Sequence, residues 1–402
     1  MSALAALSWS ISDRKRASSA ALAGSAIGTD GGCGDGEEGS KPGDARHDRD
    51  AVVAQRREEL ERSCRALGVT HLEMLGYRDS GMMGWSDNDA PGSFWTTPVE
   101  EAAAGLPIHG EAAAAHWNVT MPMDMEEIAR QWNVHLPVAQ LMFARKIRLG
   151  DHESVAYVEE SVSNERNIDH PCHWVQHATF SPPFLNISES TLTVSALRGM
   201  TSPSDYEDCS LLAHNREFSW PNAPTQETPT STAMADLRQP FAAKGLGFLA
   251  GVQLDPRRKV EYMLAVNWKL RLGVGYCFRQ DDFPWMAIWE ENCARQDNPW
   301  NGKVQARGME FGTTPFPLGR EETFRRGRLF DTPCWCVVPA NGTKTARYLI
   351  FLFTVPDGMN SIGNVEAKGD ALVLYDEHAN PTLSIPSHEC EEFLSTEVHN
   401  SF

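Results

Sequence analysis

Two titratable side chains stand in apolar runs of this chain, where a charge needs a reason. Glu310 lies in Arg307-Gly308-Met309-Glu310-Phe311. Strand alternation points its carboxylate to the face opposite Met309 and Phe311, where it must meet solvent or find a partner. His177 lies in Trp174-Val175-Gln176-His177-Ala178-Thr179-Phe180, where an imidazole serves either as a hydrogen-bonded core group or as an acid–base group at a site. A carboxylate and an imidazole held together suffice for a reaction in which one group removes a proton while the other delivers one. Arg307 faces the other side of a regular strand from Glu310, so it reads as a structural ion-pair donor unless a bulge at Gly308 re-aims it. His170, His173 and His177 are spaced by three and four, which on a helix would bring them to one metal. Pro171 and the β-type flanks oppose a helix, and no metal site is expected there. The nine cysteines are odd in number and include no C-x-x-C pair, so neither a disulfide framework nor a zinc ribbon is indicated. Cys334 and Cys336 would share one face of a strand, and buried thiols in a reduced cytoplasm are the expectation.

The elements that must position these groups are mostly strands. Ala139, Leu141, Phe143 and Ile147 alternate with Gln140, Lys146 and Arg148, which predicts a strand in a sheet with one face in water. Further runs at 154–162, 191–197, 259–276, 284–289 and 346–354 are separated by Gly, Pro, Asn and Asp clusters and predict a large antiparallel sandwich or barrel. Residues 199–240, rich in Pro, Ser and Thr, read as a long loop between strands. Toward the N-terminus the texture differs. Residues 1–49 have no sustained apolar period and read as flexible chain. An amphipathic helix carrying Val53, Leu60, Cys64 and Leu67 is predicted from Asp50 to Gly68, then a short strand at 69–75 and a polar loop, an α/β fragment.

Residues 28–104 resemble the N-acetylglucosaminyl deacetylase family that includes the mycothiol-pathway amidases. The resemblance rests on Gly76-Tyr77-Arg78-Asp79-Ser80-Gly81-Met82 and on Asp87-Asn88-Asp89-Ala90-Pro91-Gly92-Ser93-Phe94-Trp95. It implies a zinc-activated water and substrate contacts from Arg78 and Asp79. The family's zinc motif, His-Pro-Asp-Asp, has no counterpart here, since the one His-Pro is His170-Pro171.

From about 105 to 385 the chain resembles the galactose mutarotase-like superfamily of aldose 1-epimerases. The residues that carry this are Gly105-Leu106-Pro107-Ile108-His109-Gly110 with His116-Trp117, the stretch Trp174 to Phe180, Asn267-Trp268, and Trp289-Glu290-Glu291-Asn292 through Arg307 to Gly312. The resemblance implies a mainly β, antiparallel β-supersandwich and a sugar in its cleft. It also implies Glu310 as the base and His177 as the acid of anomer interconversion, with His109 as a second imidazole near the ring. Phe311 stands where the family usually has Pro after the Glu, and Gln176 where it has Asn before the His. Trp174, Trp268, Trp285, Trp289 and Trp300 are candidate platforms for sugar C–H faces. Trp174, Gln176, Asp281, Glu291, Asn292 and Arg307 are candidate substrate contacts, with Asp282 beside them.

The formal charge of −18, from 36 Lys+Arg against 54 Asp+Glu, repels phosphate backbones and anionic lipid, so neither nucleic acid nor membrane is an expected partner. No run of about 18 apolar residues occurs, and the basic residues near the start follow the apolar stretch, so neither a membrane span nor a signal peptide is expected. The expected division is a flexible N-terminus at 1–49, a deacetylase-like α/β fragment at 50–104, a mutarotase-like sandwich at 105–390 and a tail at 391–402. The function expected is that of a cytoplasmic sugar-binding protein without a cofactor, interconverting hexose anomers through Glu310 and His177. A non-catalytic sugar-binding module, a remnant zinc deacetylase and an inactive junction of two truncated genes are the alternatives. The sequence leaves the oligomeric state open.

Overall fold

The computed structural model describes residues 111–120, 128–150, 152–203, 206, 209–226, 233–297 and 300–395, with the isolated positions Ala54 and Glu58, both helical. His109, the flexible segment expected at 1–49 and the rest of the expected α/β fragment lie outside the described residues, as do residues 396–402.

Two antiparallel sheets face each other. The larger contains, in spatial order, β1 (Asn118–Thr120), β2 (Ile128–Leu136), β3 (Leu141–Leu149), β4 (Val155–Asn164), β20 (Thr343–Thr354), β14 (Leu272–Arg279), β13 (Val260–Asn267) and β7 (Ser190–Val194). The smaller runs β6 (Val175–Phe180), β16 (Gln305–Gly312), β15 (Trp285–Asn292), β12 (Leu246–Leu254), β8 (Ala196–Thr201) and β9 (Glu217–Ser219). Short ribbons pair β5 (His170–Cys172) with β19 (Cys336–Val338), β10 (Asn222–Pro224) with β11 (Met234–Asp236), and β17 (Arg328–Leu329) with β18 (Thr332–Pro333). A three-stranded meander of β21 (Asn364–Lys368), β22 (Ala371–Tyr375) and β23 (Pro381–Pro386) follows. From residue 111 on, the helices among the described residues are short: α1 (Glu111–Ala114), α2 (Arg320–Arg326) and α3 (Cys390–Ser395).

Side-chain alternation explains how one strand serves two layers. In β15 and β16, Met286, Ile288, Met309 and Phe311 enter the core between the sheets, while Ala287, Trp289 and Ala306 join a second apolar cluster on the outer face of the smaller sheet. The outer face of the larger sheet is covered in turn by the meander and by Cys390 and Leu394 of α3. Both faces of the central strands are therefore dry, which is why β15 is buried throughout. The expectation of one wet face describes β3, where Lys146 is exposed, and not the centre.

Phe311 anchors the space between the sheets. Its ring stacks on Phe278 at 4.3 Å and meets Phe283 and Tyr348 edge-on, contacts that add to its area burial. Gly273 and Gly275 leave β14 bare so that Phe353 and Phe351 of β20 can lie against it, since a Cβ at either glycine would sit 2.1 Å from a ring carbon. The adjoining hairpin is closed by Asn267, whose Oδ1 accepts the Leu270 N–H at 2.8 Å, a side chain doing what a backbone turn would.

The stretch at 199–240 is more structured than a long loop. It begins in β8 and contains β9 and the β10–β11 ribbon. Turn residues at close intervals hid strands of three residues, too short to show a period.

Candidate active site

Two rows of cross-strand neighbours on the outer face of the smaller sheet build the site. Ala287, Glu310 and His177 stand side by side on β15, β16 and β6, and Trp289, Gly308 and Thr179 form the adjacent row. β6 is an edge strand, which leaves the His177 side chain 36% exposed while Glu310, one strand further in, is 7% exposed. Imidazole Nε2 lies 3.1 Å from Glu310 Oε1. The approach is at ion-pair distance, but Oε1 has no hydrogen bond of good geometry. On the other side of the ring, Nδ1 lies 2.9 Å from Thr179 Oγ1. A donor Nδ1–H toward the hydroxyl would leave Nε2 to deal with the carboxyl and whatever enters between them.

Burial pushes the Glu310 carboxyl up from 4.5 to about 8, because removing a carboxylate from water penalises its charged form. Aromatic walls adjoin it. The Trp289 ring lies 6.4 Å from the imidazole and 5.9 Å from the Trp300 ring, and the Trp289 indole N–H is buried with no hydrogen-bond partner. Gly308 keeps the centre open. A Cβ there would come 2.8 Å from Glu310 Oε1, 3.3 Å from Trp289 and 3.5 Å from His177.

Of the described residues singled out by sequence, the structure brings together Glu310 and His177, with Trp289 beside them and Trp300 against Trp289, and places the other described ones elsewhere. Arg307 is fully buried on the opposite face. Its Nε and Nη2 bond Glu290 Oε2, and its remaining N–H groups reach the carbonyls of Leu237 and Gln239. No bulge occurs at Gly308, so regular alternation carries the guanidinium inward. Trp174 and Gln176 also point between the sheets, where the Trp174 indole N–H and the Gln176 amide both donate to Glu160. Glu160 is held as well by Arg145 at 2.6 Å and by the Tyr348 hydroxyl. The two departures from the family pattern, Phe311 and Gln176, thus both face the core and leave the face of Glu310 untouched.

Glu291 shares the outer face but spends Oε1 on the backbone N–H groups of Ala294 and Arg295, capping the turn after β15. Asn292 is buried and accepts from Gln305 at 2.9 Å. Asp281 is exposed on the turn before β15, and Asp282 beside it faces Arg279 at 3.5 Å. Thr179 and Gly308 were not picked out by sequence, although each lies two residues from a candidate on the same strand, a spacing that places it on the same face. Among the described residues no group of three or more His, Cys, Asp or Glu could hold a metal ion, and no helix is long and apolar enough to cross a membrane.

No family model matches the chain. Over 83 residues, 18% of the chain, it is 46% identical to a 1D-myo-inositol 2-acetamido-2-deoxy-alpha-D-glucopyranoside deacetylase of Nocardiopsis dassonvillei. It is 49% identical over the same length to the enzyme of that description from Streptomyces griseus. It covers only 29% and 26% of those proteins' lengths. Among solved structures it is similar to a galactose mutarotase-like protein from Clostridium acetobutylicum, with a TM-score of 0.42 and 14% identity over 66% of this chain and 75% of that one. A galactose mutarotase related enzyme from Lactobacillus acidophilus gives a TM-score of 0.40 and 15% identity over 63% and 77%.

Proposed function

We propose that the Glu310–His177 face binds a sugar and interconverts its anomers. The observation that carries this reading is the cross-strand placement of a buried carboxyl and a half-open imidazole 3.1 Å apart, beside the Trp289 indole and over the gap left by Gly308. Anomer interconversion needs a base for the C1 hydroxyl proton and an acid for the ring oxygen, after which the ring opens, C1 rotates and the ring closes again. In the competent form Glu310 is a carboxylate and Nε2 of His177 carries a proton. A carboxyl raised to about 8 is a far stronger base than an ordinary glutamate, and at neutral pH a useful fraction of it is ionised. The indoles of Trp289 and Trp300 offer apolar surface for sugar C–H groups, and the unpartnered Trp289 N–H offers a donor to a hydroxyl. The reaction requires no cofactor.

The test is polarimetric mutarotation of freshly dissolved α-D-glucose and α-D-galactose, comparing the wild type with Glu310→Gln and His177→Asn. A rate enhancement lost in both variants supports the assignment, and no enhancement from folded wild-type protein refutes it. The deep burial of Glu310 favours a second reading, sugar binding without catalysis, which predicts saturable ligand binding with no gain in rate.

A further inference from the structure

Outside the site, the ribbon of β5 and β19 sets two cysteines directly opposite each other. Cys172 and Cys336 are register partners, and their Sγ atoms lie 3.3 Å apart. We propose that Cys172 and Cys336 are a peroxide-reactive dithiol that closes to a cross-strand disulfide. Directly opposed residues of an antiparallel pair have Cα atoms about 4.5 to 5.5 Å apart, within the span a disulfide accepts. The sulfurs therefore need only rotate and close by a little over an ångström, with no change of register.

The surroundings divide the labour between the two thiols. A hydrogen bond from Cys172, the charge of Lys344 and the Thr313 hydroxyl together pull the Cys336 thiol down against its burial. The same hydrogen bond, with burial, pushes Cys172 well up. Cys336 is the nucleophile and Cys172 the thiol that resolves it. Cys172 is half-buried and gives a small oxidant its way in. The Cys336 thiolate attacks one oxygen of hydrogen peroxide, the O–O bond breaks, and the departing hydroxide leaves as water with the thiol's proton. Cys172 gives up its proton and attacks the resulting sulfenic sulfur. The S–S bond forms, the S–O bond breaks and a second water leaves. Two thiols and one peroxide give one disulfide and two waters, the two electrons passing from sulfur to oxygen.

The ribbon also adjoins the strands of the site. The carbonyl of Trp174, two residues past Cys172, accepts the backbone N–H of Thr313, immediately after β16, and the Trp174 N–H donates to the Thr313 hydroxyl at 2.9 Å. A bond at Cys172 fixes the entry to β6, five residues before His177.

Full-length reduced protein would be treated with hydrogen peroxide under native conditions, digested without reductant and mapped by mass spectrometry. The expected result is a Cys172–Cys336 linked peptide, loss of two thiols from the nine in the chain and full reversal by dithiothreitol. In Cys172→Ser, Cys336 should accumulate as a sulfenic acid that dimedone captures. Oxidation of the folded wild type to sulfinic or sulfonic acid at Cys336 without the linked peptide would overturn the proposal, as would a linkage formed only after denaturation. These readouts involve no sugar, so they stand or fall separately from the polarimetry.

Discussion

Replacing Glu310 by Gln should alter how stability depends on pH, in a calculable direction. In the unfolded chain the carboxyl returns to about 4.5, whereas in the fold burial holds it at about 8. Between those values the native state binds a proton that the unfolded state has released, so the contribution of Glu310 is fully present below pH 4.5 and is lost as pH rises through 8. Each pH unit in the window is worth about 1.4 kcal/mol, so the wild type should lose up to about 4 kcal/mol between pH 5 and pH 8 through this one group. Gln is nearly isosteric and does not titrate. Urea unfolding followed by tryptophan fluorescence at several pH values should therefore show the variant gaining on the wild type steadily as pH rises. Glu261, fully buried in β13 and likewise pushed up to about 8 by burial, supplies a control. Glu261→Gln should give the same divergence in stability and leave mutarotation intact. Parallel pH profiles for wild type and Glu310→Gln would refute the reasoning, since they would mean that Glu310 is ionised in the fold and has found solvent or a cation.

Three further perturbations follow from the geometry. Gly308→Ala places a Cβ 2.8 Å from Glu310 Oε1, and should abolish sugar-dependent activity in polarimetry while the melting temperature stays close to wild type. Thr179→Val removes the oxygen 2.9 Å from His177 Nδ1 in a nearly isosteric side chain. It should lower the mutarotation rate about tenfold or more through a mispositioned imidazole, with little change in urea midpoint. Arg307→Met strands the buried Glu290 carboxylate and should cost about 3–5 kcal/mol by urea unfolding, and adding Glu290→Gln should recover much of that loss.

The sandwich was legible because its strands announce themselves twice, by alternation and by turn chemistry. The 259–276 run came through as the β13–β14 hairpin, with Asn267 closing the turn. The two titratable members of the candidate site were legible, since a glutamate between Met309 and Phe311 must meet solvent or find a partner, and it stands 3.1 Å from His177. What alternation could not give was the layer beyond. A strand covered on both sides reads as continuously apolar, and β15 looks alike whichever face is the core. Trp174 and Gln176 are of the types that bind sugars, but they bind Glu160 instead. Which face of β6 meets solvent depends on β16 pairing along it, a contact between residues more than a hundred positions apart.

The buried carboxylates of the two sheets differ in what surrounds them. Glu290 sits across from Arg307, with the Phe241 N–H also donating to it at 2.9 Å, and Glu160 collects Arg145, Trp174, Gln176 and Tyr348. Each has been given a cation and enough donors to balance the cost of leaving water. Glu310 faces no arginine or lysine among the described residues, and its Oε1 has no hydrogen-bond partner. Its neighbours on the outer face are Ala287, Gly308 and an imidazole that is itself partly in solvent. A fold that required only a buried acid at this place would have supplied an arginine, as it does three residues along the same two strands, where Arg307 faces Glu290. On the function proposed above, leaving Glu310 without one holds its carboxyl at about 8 and leaves Oε1 for the hydroxyl of a bound sugar.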